Sequence, residues 1–142
     1  MPLTLEIAET IIAAARAKGR ALGLKPITIV VLDAGGHPTA LAREDGASNL
    51  RAKLALGKAS GAIAVGLGSR ALFNRAQEQP YFVGALGTII PDGLVPVPGG
   101  VLIRDANGTI IGAVGITGDS SDNDEACAIA GIEAAGLKAD AG

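Results

Sequence analysis

His37 is the chain's single histidine. Imidazole is the side chain that ligates a metal or moves a proton near neutral pH without help from a perturbed environment. It follows the turn-forming run Asp33-Ala34-Gly35-Gly36, so the plain alternative is a solvated hairpin residue beside Asp33. Arg43 lies further along the same extended segment, before Glu44 and Asp45. Its guanidinium can clamp a carboxylate through paired N–H donors or close a local ion pair. Gly99 and Gly100 end a proline-rich loop and can offer backbone amides to an anion or oxyanion, or simply form a bulge at a strand start. Tyr81 and Phe82 stand together in a chain with only 2% aromatics, a candidate stacking wall for a flat ligand or ordinary core. Asp122 and Glu125 are three apart on one predicted helical face. That spacing suits a weak cation site or compensation of the helix dipole. As catalytic groups, the first choices are His37 as acid/base, Arg43 as carboxylate clamp and the Gly99-Gly100 amides as oxyanion donors.

Several chemistries are excluded. One histidine and one cysteine leave no multi-histidine metal site, cysteine cluster or intramolecular disulfide within a chain. No Gly-Lys-Ser/Thr phosphate loop is present, and the glycines do not open a helix after a strand as a dinucleotide fingerprint requires. The net charge is −2 and no lysine- or arginine-rich run occurs, which argues against nucleic acid. Apolar runs are too short for a membrane span. Glu6 and Glu9 interrupt the first apolar stretch, which therefore does not read as an export signal. The expectation is a cytoplasmic protein that does not engage membranes.

The elements that must position these residues follow from periodicity. Thr4 caps a helix whose apolar stripe includes Leu5, Ala8, Ile12 and Ala15, ended by Gly23 and Pro26. Ile27 to Leu32 and Pro38 to Arg43 read as a hairpin around residues 33–36. Ser48 or Asn49 caps a long helix to about Val65, in which Gly57 and Gly61 invite close approach of another backbone. Ser69 caps a second helix that stops before Pro80, and Tyr81 to Leu86 reads as a further helical turn. Gly100 to Asp105 and Thr109 to Thr117 form a hairpin around Asn107-Gly108. Ser120 or Ser121 caps the last helix, with Asp122, Asp124 and Glu125 in its first turn. Hairpins joined by helices indicate an α+β domain over residues 1–142. Cys127 and Lys58 read as a small core residue and a solvated helix position. Hydrophobic residues make up 49% of the chain, mostly small ones, which points to apolar surface buried between subunits.

An ordered set of motifs now carries a resemblance: Asp33-Ala34-Gly35-Gly36-His37, Arg43 to Ala47, Lys58-Ala59, Pro98-Gly99-Gly100, Gly112-Ala113-Val114-Gly115, and Asp124-Glu125-Ala126-Cys127. The chain resembles the GlcG/HbpS family, which includes PduO C-terminal domains. The resemblance implies a profilin-like, five-stranded antiparallel sheet flanked by helices, and homo-oligomers, often octamers, with clefts between subunits. It also implies that some members bind haem while others act on small organic molecules, so the first reading is haem or a related flat ligand with His37 as ligand and Arg43 as anchor for acidic groups, beside Tyr81, Phe82, Gly99 and Gly100 as candidates from the residues themselves. A second reading stands beside it: a cofactor-independent lyase, isomerase or hydrolase acting on a small organic acid.

Overall fold

A computed structural model describes residues 1–142. Ile27 through Leu32 are all buried, so this segment has apolar neighbours on both faces. It forms β1 (Thr28–Asp33), the second strand of a five-stranded sheet in the order β2-β1-β4-β3-β5. The others are β2 (Pro38–Arg43), β3 (Gly100–Arg104), β4 (Ile110–Thr117) and β5 (Lys138–Asp140). Every pairing is antiparallel. α1 (Leu5–Ala21) and α5 (Ser121–Ala134) cover the face bearing Ile29, Val31, Val101, Ile103, Val114 and Ile116. α2 (Arg51–Val65) covers the other, over Val30, Leu32, Leu102 and Ala113. The architecture is α+β, as expected from the hairpin–helix alternation.

Thr4 caps α1 by accepting from Ile7 N at 3.1 Å, and Ser120 caps α5 by accepting from Asn123 N at 3.2 Å. Other expectations shift. α1 buries Ala8, Ile11, Ala15 and Gly19, so Ile11 rather than Ile12 centres the stripe, and Leu5 is exposed. α2 has Leu50 at its cap position and no side-chain cap. α3 (Ser69–Glu78) likewise lacks one, because Ser69 lies inside the helix and its hydroxyl accepts from Gly100 N at 2.7 Å. The expected single turn after Pro80 is a ten-residue helix, α4 (Pro80–Ile89). β5 falls in a polar tail that shows no strand pattern.

α2 sits directly on the sheet. A Cβ on Gly115 would run into the Ala55 carbonyl oxygen, and one on Gly100 into that of Lys58. On its outer side, Leu94 and Val95 cross Gly57 and Gly61, with Val95 N donating to Gly57 O at 3.1 Å. The expected close approach at these two glycines is therefore made by the segment before β3.

One ion pair joins the layers. Lys58 Nζ, from α2, donates to Asp124 Oδ2 of α5 at 3.0 Å and to the Ile116 carbonyl of β4 at 2.8 Å. Asp124 Oδ1 accepts from Asp119 N at 3.0 Å. Both side chains are almost fully buried. Gly99, at φ +122°, passes over this group where a Cβ would lie 2.9 Å from Nζ. Burial lowers the Lys58 pKa and raises that of Asp124, and each partner's charge opposes the shift.

Removing one partner strands a buried charge. Lys58→Met is expected to destabilise the chain by about 3–5 kcal/mol, and adding Asp124→Asn to recover at least half of the loss. The pH dependence has a definite sign. Asp124, raised above 3.8, loses stability as pH climbs through its folded value; Lys58, lowered below 10.5, loses it as pH falls through its own. Urea unfolding across pH checks both: the double variant should gain most on the native chain between these windows. A double variant no better than Lys58→Met would contradict the pairing.

Candidate functional site

The β1–β2 turn is organised by one carboxylate. Asp33 Oδ1 accepts from Gly35 N at 2.9 Å and His37 N at 3.0 Å, and Gly36 N donates to Asp33 O at 3.0 Å. Gly36 takes φ +81°, which a glycine permits without strain. His37 folds back across the turn: a Cβ on Gly35 would lie 2.9 Å from ring Cδ2. The ring is exposed, and neither of its nitrogens hydrogen-bonds within the chain.

His37 borders an open cavity of about 420 Å³. The turn forms one wall. Ser60, Ile63 and Ala64 of α2 form the floor, and Ile90-Pro91-Asp92 the opposite wall. Ser60 Oγ donates to Gly93 O at 2.6 Å and so ties that opposite wall to α2. Asp92 is the one carboxylate on the lining, and no cation joins it. The arrangement presents a free imidazole nitrogen beside an aliphatic surface. It suits a partly apolar ligand that carries a group able to take a nitrogen donor. No group of three or more His, Cys, Asp or Glu side chains is placed to hold a metal ion by protein ligands alone.

The other sequence candidates lie elsewhere. β2 has six residues. At ~3.3 Å per residue, Arg43 is therefore roughly 20 Å from His37, at the opposite end of the strand. There Arg43 Nη1 donates to Ala47 O at 2.8 Å and pins the turn into α2. The Gly100 amide is consumed by Ser69 Oγ, so it does not face a ligand. Tyr81 and Phe82 are on α4 and do not line the His37 cavity; Arg75 stacks on the Phe82 ring at 4.7 Å. The Asp122–Glu125 pair holds a guanidinium: Arg70 Nε lies 3.0 Å from Glu125 Oε2, and Arg70 Nη2 also bonds Asp122. A cation of the chain itself is thus seated where the spacing suggests a metal. Cys127 is buried, and burial pushes its thiol up to about 11, consistent with an inert core position.

Sequence reading misses Ser60, Ile63, Ile90 and Asp92 as companions of His37. They come from a helix and a connection that only the tertiary fold brings to the turn. The available signal is Pro91-Asp92-Gly93, a loop turn without a partner. Lys58 is buried rather than solvated, and Asp124 does more than offset the helix dipole, although both stand inside the motif set quoted above.

Comparison with known proteins bears on the family and the fold. The sequence matches the family described as haem degrading protein HbpS-like over residues 3–133. No curated protein matches. Among solved structures, a PduOC:heme complex superposes with TM-score 0.85 at 25% identity, covering 96% of this chain and 97% of that one. A double mutant of Streptomyces reticuli HbpS gives TM-score 0.81 at 28% identity, covering 94% and 86%. Klebsiella pneumoniae protein ORFY shares the fold, with TM-score 0.83 at 23% identity over 94% and 90%. Motif order, sheet topology and these likenesses agree, and the chain belongs to the HbpS-like family.

Proposed function

We propose that this protein binds haem, or a closely related flat ligand, with His37 as the axial ligand. The observation that carries the reading is the free imidazole of the chain's one histidine at the edge of an aliphatic-walled cavity of about 420 Å³. The likeness to a relative crystallised as a PduOC:heme complex supports it. If haem were bound, His37 would hold its iron, and the group would supply iron chemistry at that position. The chain's own part is to orient His37 through the Asp33-braced turn and to cover one ligand face with Ile63 and Ile90. Acidic substituents of the ligand find no cation within the cavity, since Arg43 is at the far end of β2. Nothing favours the organic-acid enzyme reading with these residues. His37, Arg43 and the Gly100 amide share no common site, and acid–base chemistry needs its groups within hydrogen-bond reach.

The reading includes a cytoplasmic homo-oligomer; the family resemblance extends that to an octamer. Exposed apolar side chains support assembly. α4 carries no charged residue and buries only Val83, while Tyr81 and Ile89 are each 74% exposed. Such a helix is costly to leave in water and suits an interface. No helix is long and apolar enough to cross a membrane.

Two measurements test the reading. Added hemin should give a defined Soret shift at one haem per chain. His37→Ala should abolish or move that shift while thermal stability stays within about 0.5 kcal/mol, as for an exposed side chain. Arg43→Ala should leave the spectrum unchanged. An unaltered spectrum in His37→Ala would overturn the assignment. Light scattering after size exclusion should give a multiple of the chain mass at micromolar concentration, and the double substitution Tyr81→Ser/Ile89→Ser should lower it. A single-chain mass for the native protein would refute assembly.

A further inference from the structure

The β1–β2 turn holds two adjacent glycines, and they serve different ends. Gly36 has φ +81°, a backbone angle that L side chains avoid. Gly35 is not among the glycines with positive φ, so its φ does not call for glycine. Its amide donates to Asp33 Oδ1 at 2.9 Å, a bond that any residue except proline can make.

Space explains Gly35 instead. A Cβ there would lie 2.9 Å from Cδ2 and 3.2 Å from Nε2 of His37, and 3.4 Å from Asp33 Oδ1. Non-bonded carbons settle at about 3.5–4.0 Å, so the first distance is a clash. The obstacle is a side chain, whereas Gly100, Gly112 and Gly115 each stand against a backbone carbonyl oxygen. A Cβ on Gly36 would meet Ile63 Cγ2 at 3.5 Å, an ordinary contact. The room left at position 35 is therefore filled by the imidazole alone.

The main chain of His37 is already fixed. Asp33 Oδ1 accepts from Gly35 N and His37 N together, and Asp33 N donates to His37 O at 2.9 Å. The ring has no such restraint. It is exposed, neither nitrogen is hydrogen-bonded within the chain, and an exposed side chain of this kind samples several rotamers. Packing against the bare Gly35 Cα is the contact that limits this freedom. Both residues line the cavity whose floor is Ser60 and Ile63.

We propose that Gly35 is a positioning residue for His37. Its missing side chain is the berth in which the imidazole lies, and this berth presents the ring to the cavity in one orientation. The proposal rests on the reading of His37 as the ligand-binding nitrogen and adds how that nitrogen is aimed. Gly35 acts through His37, so its contribution appears as affinity and as a single coordination geometry, the usual gains of holding a side chain ready before the ligand arrives.

Gly35→Ala tests this in the full chain, with and without ligand. In the ligand-free native protein, a nuclear Overhauser contact should join His37 Hδ2 to the Gly35 α-protons. In Gly35→Ala the contact to the residue-35 α-proton should be lost as the methyl group pushes the ring off the turn. The thermal midpoint should not fall, because the clash is with the free end of a flexible side chain and alanine restricts the unfolded chain more than glycine does. Gly36→Ala, strained at φ +81°, should lower the midpoint by about 3 °C or more. With hemin, Gly35→Ala should bind about threefold to tenfold more weakly and show a displaced Soret band that still depends on His37. An Overhauser contact absent from the native chain or unaltered in the variant overturns the proposal, and so does an unaltered hemin affinity. A midpoint as low as that of Gly36→Ala also overturns it, since the glycine would then serve the backbone. If hemin gives no His37-dependent spectrum in the native chain, the haem reading fails, and the ligand-free contact decides the positioning by itself.

Discussion

A buried lysine from one side of a sheet cannot meet a buried aspartate from the other unless everything between them is thin and fixed. Lys58 and Asp124 meet beside the last residues of β4, where Lys58 Nζ donates both to the Asp124 carboxylate and to the Ile116 carbonyl. Taking both charges out of water costs several kcal/mol, returned only if each is fully hydrogen-bonded. The requirement explains much of the local sequence. Gly99 must pass over the ammonium without a Cβ, Gly100 must pass the Lys58 carbonyl, and Asp119 must turn its amide onto the Asp124 carboxylate. The pair specifies where α2 and α5 sit relative to β4, and so where every loop at that end of the sheet emerges.

The same thinness positions the candidate site. Because Ala55 and Ala59 of α2 lie against Gly115, the helix runs close over β1 and β4. One end of α2 then reaches the His37 turn with Ser60 and Ile63, while its start reaches Lys25, Arg43 and Thr117 with Arg51. A bulkier helix would lift off the sheet and separate Ser60 and Ile63 from the His37 turn. The composition of the His37 cavity is thus a consequence of one packing constraint, with the Leu94–Val95 segment pressing α2 down from outside.

Elements with strong local signals are legible in the residues. The two hairpins follow from β-branched runs around Asp33 to Gly36 and Asn107-Gly108, and α1 and α5 from their caps. What escapes reading depends on tertiary partners. β5 is Lys-Ala-Asp, with no strand pattern of its own, and exists by pairing with β3. α4 is apolar on all sides, so it shows no stripe that would mark ten helical residues. Ser48, Asn49 and Ser69 have cap chemistry but do not cap: α2 starts past the first two, and Gly100 claims the Ser69 hydroxyl. Among the candidate site residues, His37 is legible as the lone imidazole after a glycine turn. Its supposed partner Arg43 is near in sequence but far in space, because an extended strand separates its ends. Arg70, which occupies the Asp122–Glu125 pair, comes from another helix and leaves no trace in the acidic motif.

Family membership fixes the fold, whereas the proposed ligand chemistry rests on one side chain. Since His37 is the chain's only histidine, labelling histidine with 15N marks that residue alone. Resonance Raman spectroscopy of the ferrous haem complex is therefore the most direct measurement. Coordination by His37 predicts an iron–nitrogen stretching band that moves to lower frequency on 15N labelling and disappears in His37→Ala. A bound haem whose spectrum lacks that band, or whose band ignores the label, would contradict the account.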